Sequence, residues 1–174
     1  MPELVPMHRR LLALCAFASL GGVAVGLVLQ HQFGMEPCAW CVVQRMFYVL
    51  VGGFSLAALA LGGMPIAALG AMLLADLSAT LGLASALFHQ FVAARPGGCG
   101  ITIADKFLMA TSLHEHLPWL MNPTAMCDEA NQPLLGVPFA VWSIALFTLL
   151  LIGVGFALVG ALRGMVARRG RATS

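Results

Sequence analysis

The chain has 174 residues, of which 60% are hydrophobic and only 9% are charged. Soluble globular domains carry about 25% charged residues, so this composition and a mean hydropathy of +0.94 exclude a disordered chain and a cytosolic enzyme. The formal net charge of +2 is too small for a protein that binds polyanions, and we expect no nucleic-acid partner. The expected environment is the lipid bilayer, and the sequence predicts a membrane protein.

Uncharged runs predict four membrane-spanning helices, because a bilayer needs about 20 apolar residues per helix. One long run is interrupted by Gly62-Gly63-Met64-Pro65, which ends one helix and starts the next. The predicted spans cover about 11–29, 42–61, 66–89 and 138–162. The predicted fold class is an all-α membrane protein, with residues 1–174 forming a single four-transmembrane-helix bundle.

The positions of the basic residues predict the orientation of the bundle. Six of the nine Lys and Arg residues flank the first and last spans, namely Arg9, Arg10, Arg163, Arg168, Arg169 and Arg171. An even number of spans places both termini on one side, and the positive-inside rule makes that side cytoplasmic. In a bacterium, the segments of about 30–41 and 95–137 then face the periplasm, the second as a long loop between spans 3 and 4.

Within that loop, the segment Ile101–Leu117 mixes apolar and polar residues at short spacing. This pattern predicts a short helix that lies on the membrane surface. Trp119 follows directly, and its amphipathic ring is typical of an anchor at the membrane interface.

Four of the five cysteines lie on the predicted periplasmic side, where disulfides form and persist. Cys38 and Cys41 form a C-x-x-C pair at the start of span 2, and Cys99 and Cys127 lie in the long loop. Cys15 lies within span 1, where a single buried cysteine packs as a small hydrophobe. A disulfide across two intervening residues gives little stabilisation. We therefore interpret the C-x-x-C pair as a redox centre, with a structural disulfide or a metal site as alternatives.

The metal alternative lacks ligands in the sequence. Zinc sites use four Cys or His residues at characteristic spacings, and the chain contains no second C-x-x-C and no H-x3-H, so no metal site is predicted. The interpretation as a redox centre gains support from the position of the pair at a helix start, because a helix N-terminus stabilises anions such as thiolates. Arg45 follows Cys41 by four residues and so lies on the same helical face.

The segment Glu36–Arg45, EPCAWCVVQR, together with two loop cysteines and four spans, resembles the DsbB family. These are quinone-dependent thiol oxidases of the bacterial inner membrane. The resemblance covers nearly the whole chain, and P-C-x-x-C-x-x-x-R is its specific part. It implies a multi-pass inner-membrane enzyme that reoxidises a DsbA-like periplasmic thiol oxidase. The electrons would pass to the membrane quinone pool, either ubiquinone or menaquinone.

The resemblance also implies a role for each cysteine of the two pairs. Cys99 and Cys127 would form the disulfide that the thiolate of the partner attacks, with Cys99 in the mixed disulfide. A transient Cys38–Cys127 bridge would then connect the loop pair to the membrane pair. Cys41 would be the thiolate that faces the quinone ring.

Arg45 and His89 would bind the quinone beside Cys41, according to the same resemblance. Three other functions stay open at this point. A relative of vitamin K epoxide reductase would also be a four-helix thiol and quinone enzyme, although its C-x-x-C is expected nearer the last span. The other two are a membrane thiol protein that binds copper or zinc without turnover, and a structural scaffold with two inert disulfides.

Overall fold

The computed structural model describes residues 6–95 and 103–172. In chain order these residues form α1 (Pro6–Phe33), α2 (Ala39–Ala60), α3 (Pro65–Phe88), α4 (Ile103–Thr111), α5 (Leu113–His116), α6 (Pro118–Met121), α7 (Cys127–Ala130), β1 (Pro133–Leu134), β2 (Val137–Pro138) and α8 (Phe139–Ala172). Four segments are long and apolar enough to cross a membrane, namely Met7–Phe33, Ala39–Ala60, Pro65–Ala93 and Phe139–Ala167. The predicted all-α, four-transmembrane-helix fold class is therefore confirmed.

The break between the second and third spans lies where the sequence predicts it. α2 ends at Ala60, and α3 begins at Pro65 after a turn through the two glycines. Proline is well suited to the first position of a helix, because the amide N–H that it lacks would have no partner there. The chain thus reverses direction within four residues, and α2 and α3 pack side by side.

The four long helices close into a bundle in the order α1, α2, α3, α8, with α8 also packing against α1. Small residues allow the helices to approach closely. A Cβ atom added at Gly82 of α3 would collide with the ring of Phe147 on α8, and one added at Gly52 of α2 would lie 2.7 Å from Leu20 of α1. Phe147 is fully buried, and its ring stacks on Tyr48 of α2 with centroids 4.0 Å apart.

Directly after α3, the same helical segment continues through a π-helical turn, His89–Ala93. The amide of Ala94 donates to the carbonyl of His89 at 2.9 Å, which is the i to i+5 bond of a π-helix. Such turns are rare and occur frequently at functional sites. This one places His89 and Ala93 in buried positions at the end of the bundle.

Residues 103–138 fold over that same end of the bundle. Leu108 of α4 and Leu120 of α6 belong to the main hydrophobic core. The amides of Thr124 and Ala125 both donate to the carbonyl of Pro37, at 2.9 and 3.2 Å. The single helix predicted within 101–117 is divided into α4 and α5, because Ser112 adopts a positive φ of 48°. Its place at a membrane surface stays a prediction.

Candidate functional site

Cys38 and Cys41 lie together at the start of α2. Cys38 is the N-cap residue in an extended conformation, and its sulfur accepts a hydrogen bond from the amide of Cys41 at 3.4 Å. Its carbonyl accepts from the amide of Val42 at 3.1 Å. The Sγ atoms of the two cysteines are 3.1 Å apart, and both side chains are buried. α2 thus begins at Ala39 rather than near residue 42, because the cysteine caps the first turn.

Cys127, the first residue of α7, packs against this pair. It shares a buried cluster with Cys38, Cys41 and the alanine side chains of Ala93 and Ala130. The structure therefore brings three of the four predicted redox cysteines together, although Cys127 is far from the pair in sequence. The fourth, Cys99, lies outside the described residues.

His89 joins the two cysteines that come from different parts of the chain. Its Nε2 atom lies 3.5 Å from Sγ of Cys38 and 3.4 Å from the carbonyl oxygen of Cys127. On the other side of the ring, Nδ1 lies 3.4 Å from the side-chain amide of Gln44. The imidazole is fully buried. In the described part of the chain, the contacts of this predicted quinone ligand are thus with cysteines and a glutamine.

The cysteine cluster favours a thiolate at Cys127. The thiol of Cys38 donates a hydrogen bond to the sulfur of Cys127, which lowers the pKa of Cys127. Cys38 has a single thiol proton, which it can donate to Cys127 or to Cys41; these interactions, together with the desolvation of the thiol, raise the pKa of Cys38 well above its usual value. At neutral pH, Cys38 therefore keeps its proton and stabilises a negative charge on its neighbours.

Arg45 lies one turn along α2 from Cys41 and is almost fully buried. Its Nη1 atom donates to Oε1 of Gln30 at 2.6 Å and to the carbonyl of Leu120 at 3.2 Å. Its Nη2 atom donates to the carbonyl of Gly26 at 3.4 Å. The guanidinium is thus fixed by α1 and α6 with its positive charge on the face of α2 that carries Cys41.

A cavity of about 510 Å³ lies between α1, α2 and α8, and most of its wall is apolar. Cys41, Gln44 and Arg45 lie on its α2 wall, and the aromatic side chains of Tyr48 and Trp142 also line it. Small-molecule sites in proteins have this size and composition, an apolar wall with a few polar groups. The C-x-x-C pair, the buried cation and the cavity therefore form one continuous site.

Two glutamines of this site, Gln30 and Gln44, are not found by the sequence reasoning. Both are polar residues within transmembrane helices. Polar side chains in such helices form hydrogen bonds between helices, so their presence in apolar runs is the signal that could have identified them. Their partners, Arg45 and His89, could not have been chosen from the sequence, because those pairs are formed by helix packing.

The chain matches the family described as "Disulfide bond formation protein DsbB" over residues 8–157. It is similar to the Disulfide bond formation protein B of Burkholderia thailandensis, with 29% identity over 154 residues, 87% of this chain and 90% of that protein. The protein of the same name from Cupriavidus necator is 30% identical over 147 residues, 84% of this chain and 89% of its own. The protein of the same name from Ralstonia nicotianae is 29% identical over 152 residues, which cover 87% of this chain and 94% of that protein.

Proposed function

The chain belongs to the DsbB family of membrane-spanning, disulfide-forming oxidoreductases, and we propose that it reoxidises a DsbA-like periplasmic thiol oxidase with membrane quinone as the electron acceptor. The observation that carries the proposal is the position of Cys41. Its sulfur lies 3.1 Å from that of Cys38, and the same residue lines an apolar cavity beside Arg45. Cys41 therefore contacts the sulfur of Cys38 and also borders a space suited to an apolar oxidant.

The residues around the cavity fit a quinone. The apolar wall suits a flat ring and its isoprenoid tail, and the guanidinium of Arg45 can donate a hydrogen bond to a quinone oxygen. Arg45 would hold the oxygen, and Tyr48 and Trp142 would contact the ring or tail. When bound, a quinone supplies a two-electron, two-proton oxidation of the adjacent dithiol. Neither ubiquinone nor menaquinone is favoured by these side chains.

The protein's own chemistry is a series of four thiol–disulfide exchanges. The thiolate of the partner attacks the Cys99–Cys127 disulfide at Cys99, which forms the mixed disulfide and releases Cys127 as a thiolate. Cys127 then attacks Cys38, so that the Cys38–Cys127 bond forms, the Cys38–Cys41 bond breaks and the electron pair leaves on Cys41. The second partner thiol resolves the mixed disulfide, and Cys99 then attacks Cys127 to release Cys38. Two electrons have then moved from the partner to the Cys38–Cys41 pair.

The geometry supports the second exchange directly. Cys127 is the cysteine whose thiolate is favoured, and Cys38 is the sulfur that it contacts. Cys41 leaves at the first turn of α2, where free amide N–H groups and the charge of Arg45 stabilise an anion. The contacts of His89 support a role different from the expected one, in which its ring holds Cys38 and the backbone of Cys127 together.

The proposal includes the location and the orientation of the protein. Both termini would be cytoplasmic, the cysteines periplasmic and the bilayer the bacterial inner membrane, with residues 1–174 acting as one domain. A vitamin K epoxide reductase relative is disfavoured, because the C-x-x-C pair opens α2 rather than lying near the last span.

The test is quinone reduction by the purified protein, followed by the absorbance of the oxidised quinone, with a reduced thioredoxin-fold partner as the electron donor. We expect Cys41→Ser to lose turnover completely, because the sulfur next to the cavity is gone. Cys15→Ala is the matched control, since Cys15 is also a buried thiol in a membrane helix but lies outside the cysteine cluster. Normal turnover by Cys41→Ser would contradict the mechanism.

A further inference from the structure

We propose that the reduced cysteine cluster is also a binding site for one thiophilic d10 cation of the zinc type, held by Cys38, Cys41, His89 and Cys127. The Sγ atoms of Cys38 and Cys127 and a ring nitrogen of His89 all lie within 4.8 Å of one another. The Sγ atom of Cys41 lies 3.1 Å from that of Cys38 but outside this group of three, so it becomes the fourth donor only when its side chain rotates toward the ion. Three sulfurs and one imidazole are a ligand set that zinc uses in structural sites.

The separations among the donors of Cys38, His89 and Cys127, all within 4.8 Å, are compatible with those that a tetrahedral ion requires. With zinc–sulfur bonds of about 2.3 Å and zinc–nitrogen bonds of about 2.0 Å, neighbouring donors lie roughly 3.5–3.8 Å apart. The distance from Cys38 Sγ to His89 Nε2 is 3.5 Å and already agrees. The two sulfurs of the C-x-x-C pair, 3.1 Å apart, need only a small side-chain rotation.

The surroundings of the donors also match a metal site. Histidine ligands are oriented by a hydrogen bond from their second ring nitrogen, and Nδ1 of His89 lies 3.4 Å from the amide of Gln44. When its side-chain oxygen faces the ring, Gln44 accepts a hydrogen bond from the Nδ1–H group of His89. Three thiolates and a divalent cation leave one negative charge, which Arg45 can offset from the next turn of α2.

Binding is possible only in the reduced state, because a sulfur in a disulfide is not a thiolate ligand. Uptake of the cation releases whatever protons the three thiol groups still carry, and no electron is transferred. The Sγ atom of Cys38 is bonded to the ion, so neither the Cys38–Cys41 nor the Cys38–Cys127 disulfide can form. The cation is therefore an inhibitor that acts on the reduced enzyme, and this inhibition, unlike the binding, rests on the proposed function.

The binding is tested with Co²⁺ as the probe, added anaerobically to the purified, reduced, full-length protein in detergent. We expect one equivalent to give thiolate-to-cobalt charge-transfer bands and the visible bands of a tetrahedral site, and Zn²⁺ to bleach both. Cys38→Ser and Cys127→Ser should each remove most of the charge-transfer intensity, whereas Cys15→Ala should retain it. Gln44→Ala should weaken binding by about 10- to 100-fold, because it removes the orienting bond.

Several results would overturn the site. These are an octahedral spectrum without charge transfer, identical spectra in Cys38→Ser and the parent, or equal binding by the oxidised protein. Variants are compared only when their elution volume and helical circular dichroism match those of the parent. His89→Gln is a second ligand variant, and it preserves the polarity of the side chain.

A second measurement separates this proposal from the proposed function. Zn²⁺ added to the reduced enzyme should stop quinone reduction, and a chelator should restore it. Full turnover with zinc bound would refute the inhibition but leave the proposed function intact. Cobalt binding in a protein that never reduces quinone would refute the proposed function but leave the site intact.

Discussion

Arg45 is a buried cation whose acceptors, within the described part of the chain, are neutral oxygen atoms. Gln30 and two backbone carbonyls accept from its guanidinium. A buried charge is costly unless it is hydrogen-bonded, and these acceptors provide the hydrogen bonds without cancelling the charge. The positive charge therefore remains available to a thiolate at Cys41 or to a ligand oxygen in the cavity.

Gln30→Leu tests this support at the scale of one residue. The substitution preserves most of the side-chain volume but removes the 2.6 Å acceptor of Arg45. A hydrogen bond to a charged group contributes about 1.5–3 kcal/mol, so we expect the KM for quinone to rise by about tenfold or more, with a smaller change in kcat. The measurement is steady-state kinetics at varied quinone concentration.

The control for this prediction is Gln32→Leu, which makes the same change on an exposed position of α1. It should leave the KM for quinone unchanged. A KM that rises equally in both variants would show that the apolar substitution on α1, rather than the bond to Arg45, is responsible.

The sequence predicts the local part of this site and not its long-range contacts. Cys38, Cys41 and Arg45 lie within two turns of one helix, so their spacing alone places them on one face. The partners of Arg45 come from 15, 19 and 75 residues away. Their identity depends on which helix faces meet, and that is decided by packing. His89 could be singled out as a histidine, but no signal in the sequence indicates the π-helical turn that directs it to the cysteines.

At the scale of elements, the site depends on how closely α3 approaches α8. Gly82 leaves room for the ring of Phe147, which in turn stacks on Tyr48 at 4.0 Å with the planes 2° apart. The hydroxyl of Tyr48 donates to the carbonyl of Ser143 at 3.2 Å. Tyr48 lines the cavity. Gly82 does not line it, but it influences the shape of the cavity wall because it determines where Phe147, and hence Tyr48, can lie.

Gly82→Ala is therefore expected to destabilise the protein. The added Cβ would collide with the ring of Phe147, and overpacking of this kind costs about 1–3 kcal/mol. The measurement is thermal unfolding in detergent, followed by far-ultraviolet circular dichroism. Gly70→Ala is the matched control on α3, because nothing lies within 4 Å of its added Cβ, and it should unfold at or slightly above the parent temperature. A lower unfolding temperature for Gly70→Ala alone would refute the packing argument.

At the scale of the whole molecule, the two ends of the bundle differ in composition. His8 of α1 contacts Gly160 of α8, so the beginning of α1 and the last part of α8 lie at one end, near the basic residues that flank the first and last spans. Cys38, Cys41 and Cys127 lie at the opposite end, where α2 begins and α3 ends. The sequence predicts this arrangement because span length and charge asymmetry are properties of composition. It does not predict the four-residue helices α5 to α7, which depend on tertiary contacts.

The proposed orientation rests on the same charge asymmetry and is tested by reporter fusions. Alkaline phosphatase fused after Ser174 should be inactive, whereas the same enzyme inserted after Pro123 should be active, because it folds only in the periplasm. A fluorescent protein that folds only in the cytoplasm should give the reciprocal result. Activity of the phosphatase at the C-terminus would reverse the orientation and place the cysteine cluster in a reducing compartment.

The π-helical turn has a consequence for how the gene can change. Such a turn holds one residue more than the α-helical turn that it replaces. Deletion of one residue within His89–Ala93 would convert the wide turn into a regular α-helical turn and so change the directions in which its side chains point. That change would break the 3.0 Å hydrogen bond between Gln90 and Asn131, which connects the turn to the segment before β1. Over evolutionary time, we therefore expect this helix end to accept substitutions but to resist any insertion or deletion, so that its length is inherited more faithfully than its sequence.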